Sequence, residues 1–151
     1  MHVEGGCFCN AVRYVFDGEP LSKGLCHCPD CKKVTGSAFA AYFTVRTADL
    51  RLTGRLARTV GTSGKGTDTT RNFCPACGTT VFGGGPGGDA INLYAGTFDD
   101  PSLFVPDIAI YTATRAAWAH VAPGALPELE RLPGHPGPSR VGQVRTEAAP
   151  S

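Results

Sequence analysis

Seven cysteines in three tight clusters constrain this chain more than any other feature. They are Cys7 and Cys9 spaced C-x-C, Cys26, Cys28 and Cys31 spaced C-x-C-x-x-C, and Cys74 and Cys77 spaced C-x-x-C. The chain shows neither a leader pattern nor the ~18 consecutive apolar residues of a membrane span, so we expect a cytoplasmic protein. Disulfides rarely persist in the cytosol, whereas thiolate–metal bonds do. The clusters therefore predict metal sites.

Length and charge narrow the class of protein. A chain of 151 residues suits one compact domain. Its 14 Lys+Arg against 13 Asp+Glu give a net charge of +1. Nucleic-acid or anionic-membrane binding needs a basic field, which this balance does not supply. We expect a small-molecule partner, and neither a nucleic acid nor a membrane.

Short apolar runs separated by glycine and proline predict a mainly β fold. The strand candidates are residues 11–16, 39–45, 50–52, 56–60, 80–82, 91–95 and 108–112. The turn Thr53-Gly54 predicts that the third and fourth candidates form a hairpin. One or two helical turns are expected around Trp118, over residues 113–120. The glycine-rich stretches 61–67 and 83–88 lack a phosphate-loop pattern and are interpreted as loops.

The C-terminal part of the chain has a different composition. From Pro133 onward it is rich in proline and poor in apolar residues. Such a segment cannot bury enough surface to fold. We predict a domain over residues 1–132 and a disordered tail over residues 133–151.

The first and last clusters together supply four sulfurs. On a strand, Cys7 and Cys9 would point to one face, and the preceding Gly5-Gly6 would let the backbone turn. Cys74-Pro75-Ala76-Cys77-Gly78 has the pattern of a zinc knuckle, in which two thiolates converge. The four cysteines predict a closed structural zinc site that stabilises the fold.

The middle cluster supplies three ligands. Three protein ligands and one open position are typical of catalytic zinc, so Cys26, Cys28 and Cys31 are the predicted catalytic site. Pro29 and Asp30 suit a turn between them. The neighbouring Lys32 and Lys33 would favour the thiolate form of the cysteines.

Other partitions of ligands remain open. Cys28, Cys31, Cys74 and Cys77 could form a zinc ribbon, which would leave three cysteines without a role. His27 could complete the middle site, although on a strand it would point away from Cys26 and Cys28, and a non-ligand role, such as a hydrogen bond to the site, is the preferred interpretation. His2, His120 and His135 have no ligand neighbours in the sequence and are interpreted as exposed.

Three motifs together resemble the glutathione-dependent formaldehyde-activating, or CENP-V-like, family. They are Gly5-Gly6-Cys7-Phe8-Cys9 with Ala11 to Tyr14, Cys26-His27-Cys28-Pro29-Asp30-Cys31 with Lys32 to Ser37, and Arg71-Asn72-Phe73-Cys74-Pro75-Ala76-Cys77-Gly78-Thr79. Ala95 to Pro101 and Trp118 are similar to later family segments. Many members carry a histidine shortly after the proline matched by Pro106, and this chain reads Asp107 to Tyr111 there instead.

The resemblance implies a Mss4-like zinc-binding fold of small antiparallel sheets around the metal sites. It implies that Cys7, Cys9, Cys74 and Cys77 hold the structural zinc and that Cys26, Cys28 and Cys31 hold the catalytic one. It also implies a carbon–sulfur lyase or synthase resembling S-(hydroxymethyl)glutathione synthase, with glutathione as co-substrate. Thr35, Ser37 and the two lysines are candidates for orienting substrate. Arg13 and Arg71 could attract a carboxylate but are interpreted as solvated.

A second hypothesis belongs to another class of protein. Because thiols add to formaldehyde without a catalyst, the chain could be a non-catalytic zinc module that binds a thiol metabolite or a protein partner. A nucleic-acid-binding zinc ribbon ranks below both because the chain has no basic excess.

Overall fold

The computed structural model describes residues 1–62, 67–84, 87–119, 126–134 and 145–148. Within them the chain forms twelve strands and one α-helix. The strands are β1 (His2–Gly6), β2 (Arg13–Asp17), β3 (Ser22–Cys26), β4 (Ala40–Arg46), β5 (Leu50–Thr53), β6 (Ala57–Thr62), β7 (Asp68–Phe73), β8 (Thr80–Gly84), β9 (Ala90–Tyr94), β10 (Ile108–Ile110), β11 (Glu128–Leu129) and β12 (Arg145–Ala148); the helix is α1 (Pro29–Thr35). The predicted mainly β class is confirmed.

The strands form two sheets. The small sheet has the order β1-β2-β5 and is antiparallel. The large sheet has the order β11-β10-β3-β4-β9-β8-β7-β6-β12. Strand β10 pairs in parallel with β3 and β11, and the other pairs are antiparallel. The expected antiparallel pairing thus holds for most of the large sheet, and the two pairs made by β10 are parallel.

The two faces of the large sheet carry different clusters. Phe43 and Leu93 pair across β4 and β9 and are fully buried against the small sheet, together with Phe16. Each such side chain contributes roughly 1.5–3 kcal/mol through its burial. The next pair along, Tyr42 and Tyr94, points to the opposite face because strand side chains alternate. The middle cysteine cluster lies on that second face.

The hairpin predicted between residues 50–52 and residues 56–60 is wrong. Strand β5 pairs with β2 in the small sheet, whereas β6 pairs with β7 in the large one. Gly54 between them has φ +92°, and a Cβ there would lie 2.0 Å from the carbonyl oxygen of Ala11. The turn therefore carries the chain from one sheet to the other, and Leu56 enters the main core.

Part of the predicted disordered tail is a strand. Strand β12 pairs antiparallel with β6, and Arg58 donates a hydrogen bond of 2.8 Å to the Glu147 carboxylate across the pair. Backbone pairing and charge hold these four residues, although they bury little apolar surface. The tail prediction for residues 135–144 and 149–151 lies outside the described residues.

Other local predictions also need correction. Both glycine-rich stretches begin inside strands, since Gly61 belongs to β6 and Gly83 to β8. The one or two helical turns predicted around Trp118 are a 3-10 turn at Thr112–Thr114 and a separate turn at the tryptophan. No helix among the described residues is long and apolar enough to cross a membrane.

Candidate metal centres

The first and third cysteine clusters form one group. The sulfur atoms of Cys7, Cys9, Cys74 and Cys77 all lie within 4.8 Å of one another. Cys9 Sγ is 3.6 Å from Cys7 Sγ and 3.8 Å from Cys74 Sγ. A tetrahedral zinc with Zn–S bonds of about 2.3 Å places its sulfurs about 3.8 Å apart. The donor set and its spacing therefore fit a closed zinc site.

The C-x-C pair reaches this geometry through a turn, not through a strand as predicted. Strand β1 ends at Gly6, and the amide of Asn10 donates to the Cys7 carbonyl at 3.0 Å in a turn closed by Asn10 at φ +61°. Gly5 does not provide freedom to turn, because it lies within β1 where a Cβ would come within 2.2 Å of Tyr14 Oη. Its role is to permit close packing.

The knuckle has the predicted compact form. The Gly78 amide donates to the Cys74 carbonyl at 2.8 Å, and Gly78 adopts φ +75°. Thr79, which sequence reasoning did not select, joins the two halves of the group. Its Oγ1 accepts from the Phe8 amide at 3.1 Å and lies 3.3 Å from Cys77 Sγ. Hydrogen bonds from Thr79, first from its hydroxyl, lower the pKa of Cys77 to about 5.

The middle cluster forms a second group of three. Cys26 ends β3, Cys28 is the N-cap of α1, and Cys31 lies in its first turn. Their sulfur atoms lie within 4.8 Å of one another. Pro29 and Asp30 are the first residues of this helix and not a turn, which sequence reasoning missed. The sulfurs are not grouped as the zinc-ribbon alternative requires, since Cys28 and Cys31 lie with Cys26.

One thiol of the second group, that of Cys28, has a strongly lowered pKa. Hydrogen bonds from the Cys26 and Cys31 thiols, and then from the Cys31 backbone amide at 3.3 Å, lower the pKa of Cys28 to about 3. The pKa of Cys26 is raised by its hydrogen bonds with the Cys28 and Cys31 sulfurs, and further by burial. The hydrogen bond from Cys26 lowers the pKa of Cys31, but the bond to Cys28 and burial prevail and raise it to about 12. The group suits a cation that replaces two protons.

Tyrosines surround the three sulfurs. Tyr42 and Tyr94 are buried in the same cluster as Cys26 and Cys28, and Tyr111 packs against it. Burial raises the pKa of Tyr42 and of Tyr111 to about 12 and also raises that of Tyr94. These hydroxyls keep their protons at neutral pH, so the site is bordered by uncharged hydrogen-bond donors.

Arg71 is the main residue that sequence reasoning placed wrongly. It is not a solvated arginine, because its Nε is buried without a hydrogen-bond partner among the described residues. A Cβ built on Gly83 would lie 2.9 Å from Tyr94 Oη and 3.2 Å from Arg71 Nη1, so the guanidinium and this phenol approach each other over Gly83. Burial lowers the pKa of Arg71, but attraction to the ionised forms of Tyr94, Cys31 and Cys28 prevails and raises it. Arg13, by contrast, forms an ion pair with Asp99.

The other polar candidates have structural contacts. Both ring nitrogens of His27 are buried without a hydrogen bond to any described residue, and the ring packs on Phe39 at 5.4 Å. His27 is therefore neither in a ligand group nor hydrogen-bonded to one. Lys32 donates to the Thr114 carbonyl at 2.6 Å, and Lys33 is exposed. His2 is exposed as predicted, and His120 and His135 lie outside the described residues.

The fold and the two groups define a mainly β protein with two thiolate-rich centres, one of four donors and one of three, that could hold metal ions. Residues 2–114 match the family model described as glutathione-dependent formaldehyde-activating enzyme. The chain belongs to this family, as the resemblance predicted. No match was found among curated proteins.

Proposed function

We propose that the protein is a zinc-dependent carbon–sulfur lyase or synthase acting on the adduct of a thiol with formaldehyde, with glutathione as the thiol. The observation that supports this most directly is the three-sulfur group, for which the described residues supply no fourth donor, in a chain of the formaldehyde-activating family. Cys26, Cys28 and Cys31 would hold the catalytic zinc. Cys7, Cys9, Cys74 and Cys77 would hold the structural one.

A bound zinc ion supplies Lewis acidity, which favours the thiolate form of a sulfur and stabilises negative charge on a carbonyl oxygen. In synthesis, the substrate sulfur forms a bond to the formaldehyde carbon. The π electrons move to the oxygen, which takes up the proton that the thiol released. In cleavage, the carbon–sulfur bond breaks and the proton returns to sulfur.

The residues around the sulfurs have defined parts in this proposal. Arg71 offsets the negative charge of three thiolates on one dication, which a neutral side chain could not do. Tyr94 retains its proton, and its hydroxyl can donate to a developing oxyanion. Tyr42 and Ala40, both buried beside Cys26, limit the access of water.

The test measures catalysis against the uncatalysed background. Exchange between free and S-hydroxymethylated glutathione is followed by exchange NMR with the two-zinc protein, and with Cys28→Ser as the control. We expect two zinc ions per chain, faster exchange with the parent protein, and one zinc ion with background exchange for the variant. Background exchange with the fully loaded parent would contradict an enzymatic role.

One observation favours the non-catalytic alternative. Cys26 and Cys28 are only 6% and 5% exposed, so an incoming sulfur has a narrow approach. If the protein is a non-catalytic module, glutathione would bind to the zinc-loaded protein, but the exchange between free and S-hydroxymethylated glutathione would not be accelerated. The same NMR experiment, with glutathione binding measured on the same sample, separates the two functions.

A further inference from the structure

A cleft of about 440 Å³ lies between the two cysteine groups. Three segments line it, namely the end of α1 with the start of β4, the residues after the knuckle, and the segment after β9. The lining residues are Val34, Thr35, Ser37, Phe39, Ala41, Gly78, Thr79, Thr80, Tyr94, Gly96 and Thr97. Volumes of this order are typical of small-molecule sites.

The cleft adjoins the three-sulfur group. Thr35 lies one helical turn after Cys31, and its Oγ1 donates to the Cys31 carbonyl at 2.8 Å. One turn corresponds to roughly 6 Å between side chains. Tyr94 lines the cleft and also packs in the cluster of Cys26 and Cys28. An extended ligand seated in the cleft could therefore place its sulfur beside Cys31.

The lining has a definite chemical character. It carries hydroxyl and apolar side chains, and no acidic or basic residue is among its members. Thr35, Thr79 and Thr97 already use their hydroxyls within the protein. Among the described residues, the hydroxyls of Ser37 and Thr80 make no hydrogen bond, so both can serve a ligand. Neutral amide groups fit such a surface better than carboxylates, which would lack a counter-charge.

We propose that this cleft binds the amide-bearing, non-reacting part of the thiol substrate, with the charged ends of that molecule in solvent at its mouth. This inference rests on the proposed function. The hydroxyls of Ser37 and Thr80 bond the amides, and Val34 and Phe39 pack against the methylene groups. The cleft thus selects peptide-like thiols over small thiols of equal acidity.

Gly96 allows a direct steric test. It lines the cleft, its φ is not in the left-handed region, and a Cβ there would meet no atom within 4 Å. Binding of S-methylglutathione, whose sulfur cannot become a thiolate, is measured by calorimetry on the zinc-loaded protein. We expect Gly96→Leu to weaken binding at least about tenfold and Thr80→Val about three- to tenfold. The matched controls Gly96→Ala and Thr80→Ser should stay within about twofold of the parent.

A second probe separates this proposal from the proposed function. Addition of 2-mercaptoethanol to cobalt-substituted protein should change the visible spectrum equally in the parent and in all four variants. If S-methylglutathione does not bind, or binds all variants alike, the cleft proposal is overturned even when the small thiol changes the spectrum. If no thiol changes the spectrum while Gly96→Leu still weakens S-methylglutathione binding, the cleft proposal stands and the proposed function fails.

Discussion

Arg71 shows how a single side chain shapes the three-sulfur centre. Its guanidinium lies on the same face of the large sheet as Cys26, and it donates only to Thr69 and the Thr70 carbonyl among its described hydrogen bonds. Three thiolates and one dication leave an excess negative charge, which a nearby buried cation stabilises more than a solvated one would. The charge of Arg71, not only its packing, should therefore support metal binding.

Replacement of Arg71 tests this charge. We expect Arg71→Gln to lower the affinity of the three-sulfur site for zinc about tenfold or more, because the positive charge that stabilises the zinc-bound thiolates is lost. Arg71→Lys, which keeps a positive charge, should have an intermediate affinity. Competition with a chromophoric chelator measures the affinity. Arg58→Gln is the control, because Arg58 pairs with Glu147 across β6 and β12, at the far end of the large sheet from Cys26. Equal affinities for the two glutamine variants would show that Arg71 has no electrostatic part.

Zinc binding to the three-sulfur group should release protons. At pH 7, Cys28 with a pKa of about 3 is ionised, whereas Cys31 at about 12 and Cys26, whose pKa is also raised, are protonated. Zinc must displace two protons, so its affinity should rise with pH by about 100-fold per unit near neutrality. Calorimetry in buffers of different ionisation enthalpy counts the protons. A count near three or near zero would contradict the assigned protonation states.

At the scale of elements, short apolar runs in the sequence located most of the strands. They located β2, β4, β5, β6, β8, β9 and β10 within a few residues. They missed β3 (SKGLC) and β7 (DTTRNF), because on the face with the three-sulfur group these strands carry glycine and polar side chains. Cysteine spacing gave the two groups, but the positions of Arg71 and Tyr94 depend on strand register, which no local pattern contains.

The turn at Gly54 should be among the least replaceable in the fold. Gly54→Ala combines a left-handed φ with a Cβ 2.0 Å from the Ala11 carbonyl oxygen, so the backbone between the sheets must move. We expect a loss of more than about 2 kcal/mol in the free energy of unfolding. Gly87→Ala is the matched control, because Gly87 has φ +68° and open space around it, and it should lose only about 1 kcal/mol. Urea denaturation measures the free energy of unfolding of both variants. Equal losses would show that the contact with the Ala11 carbonyl oxygen does not contribute.

At the scale of the whole molecule, the two groups occupy different parts of the architecture. Cys7 and Cys74 belong to the main core between the sheets, and their group ties the turn after β1 to the connection between β7 and β8. Cys26 and Cys28 belong to the smaller cluster on the outer face of the large sheet. A metal ion in the first group would therefore support the packing of one sheet on the other, whereas one in the second would mainly order α1.

Single serine substitutions should separate these two roles. Cys74 is 1% exposed within the main core, so Cys74→Ser removes a ligand and leaves a buried hydroxyl. We expect this variant to be insoluble or to lose more than about 3 kcal/mol of folding free energy, because metal binding to a structural site is coupled to folding. Cys28→Ser should fold, retain one zinc ion per chain and melt within about 8 °C of the parent, since its loss is confined to the outer cluster. Zinc content and thermal unfolding are measured on the same preparations. If Cys28→Ser unfolds the domain while Cys74→Ser does not, the three-sulfur group is the structural one, and the catalytic role assigned to it fails.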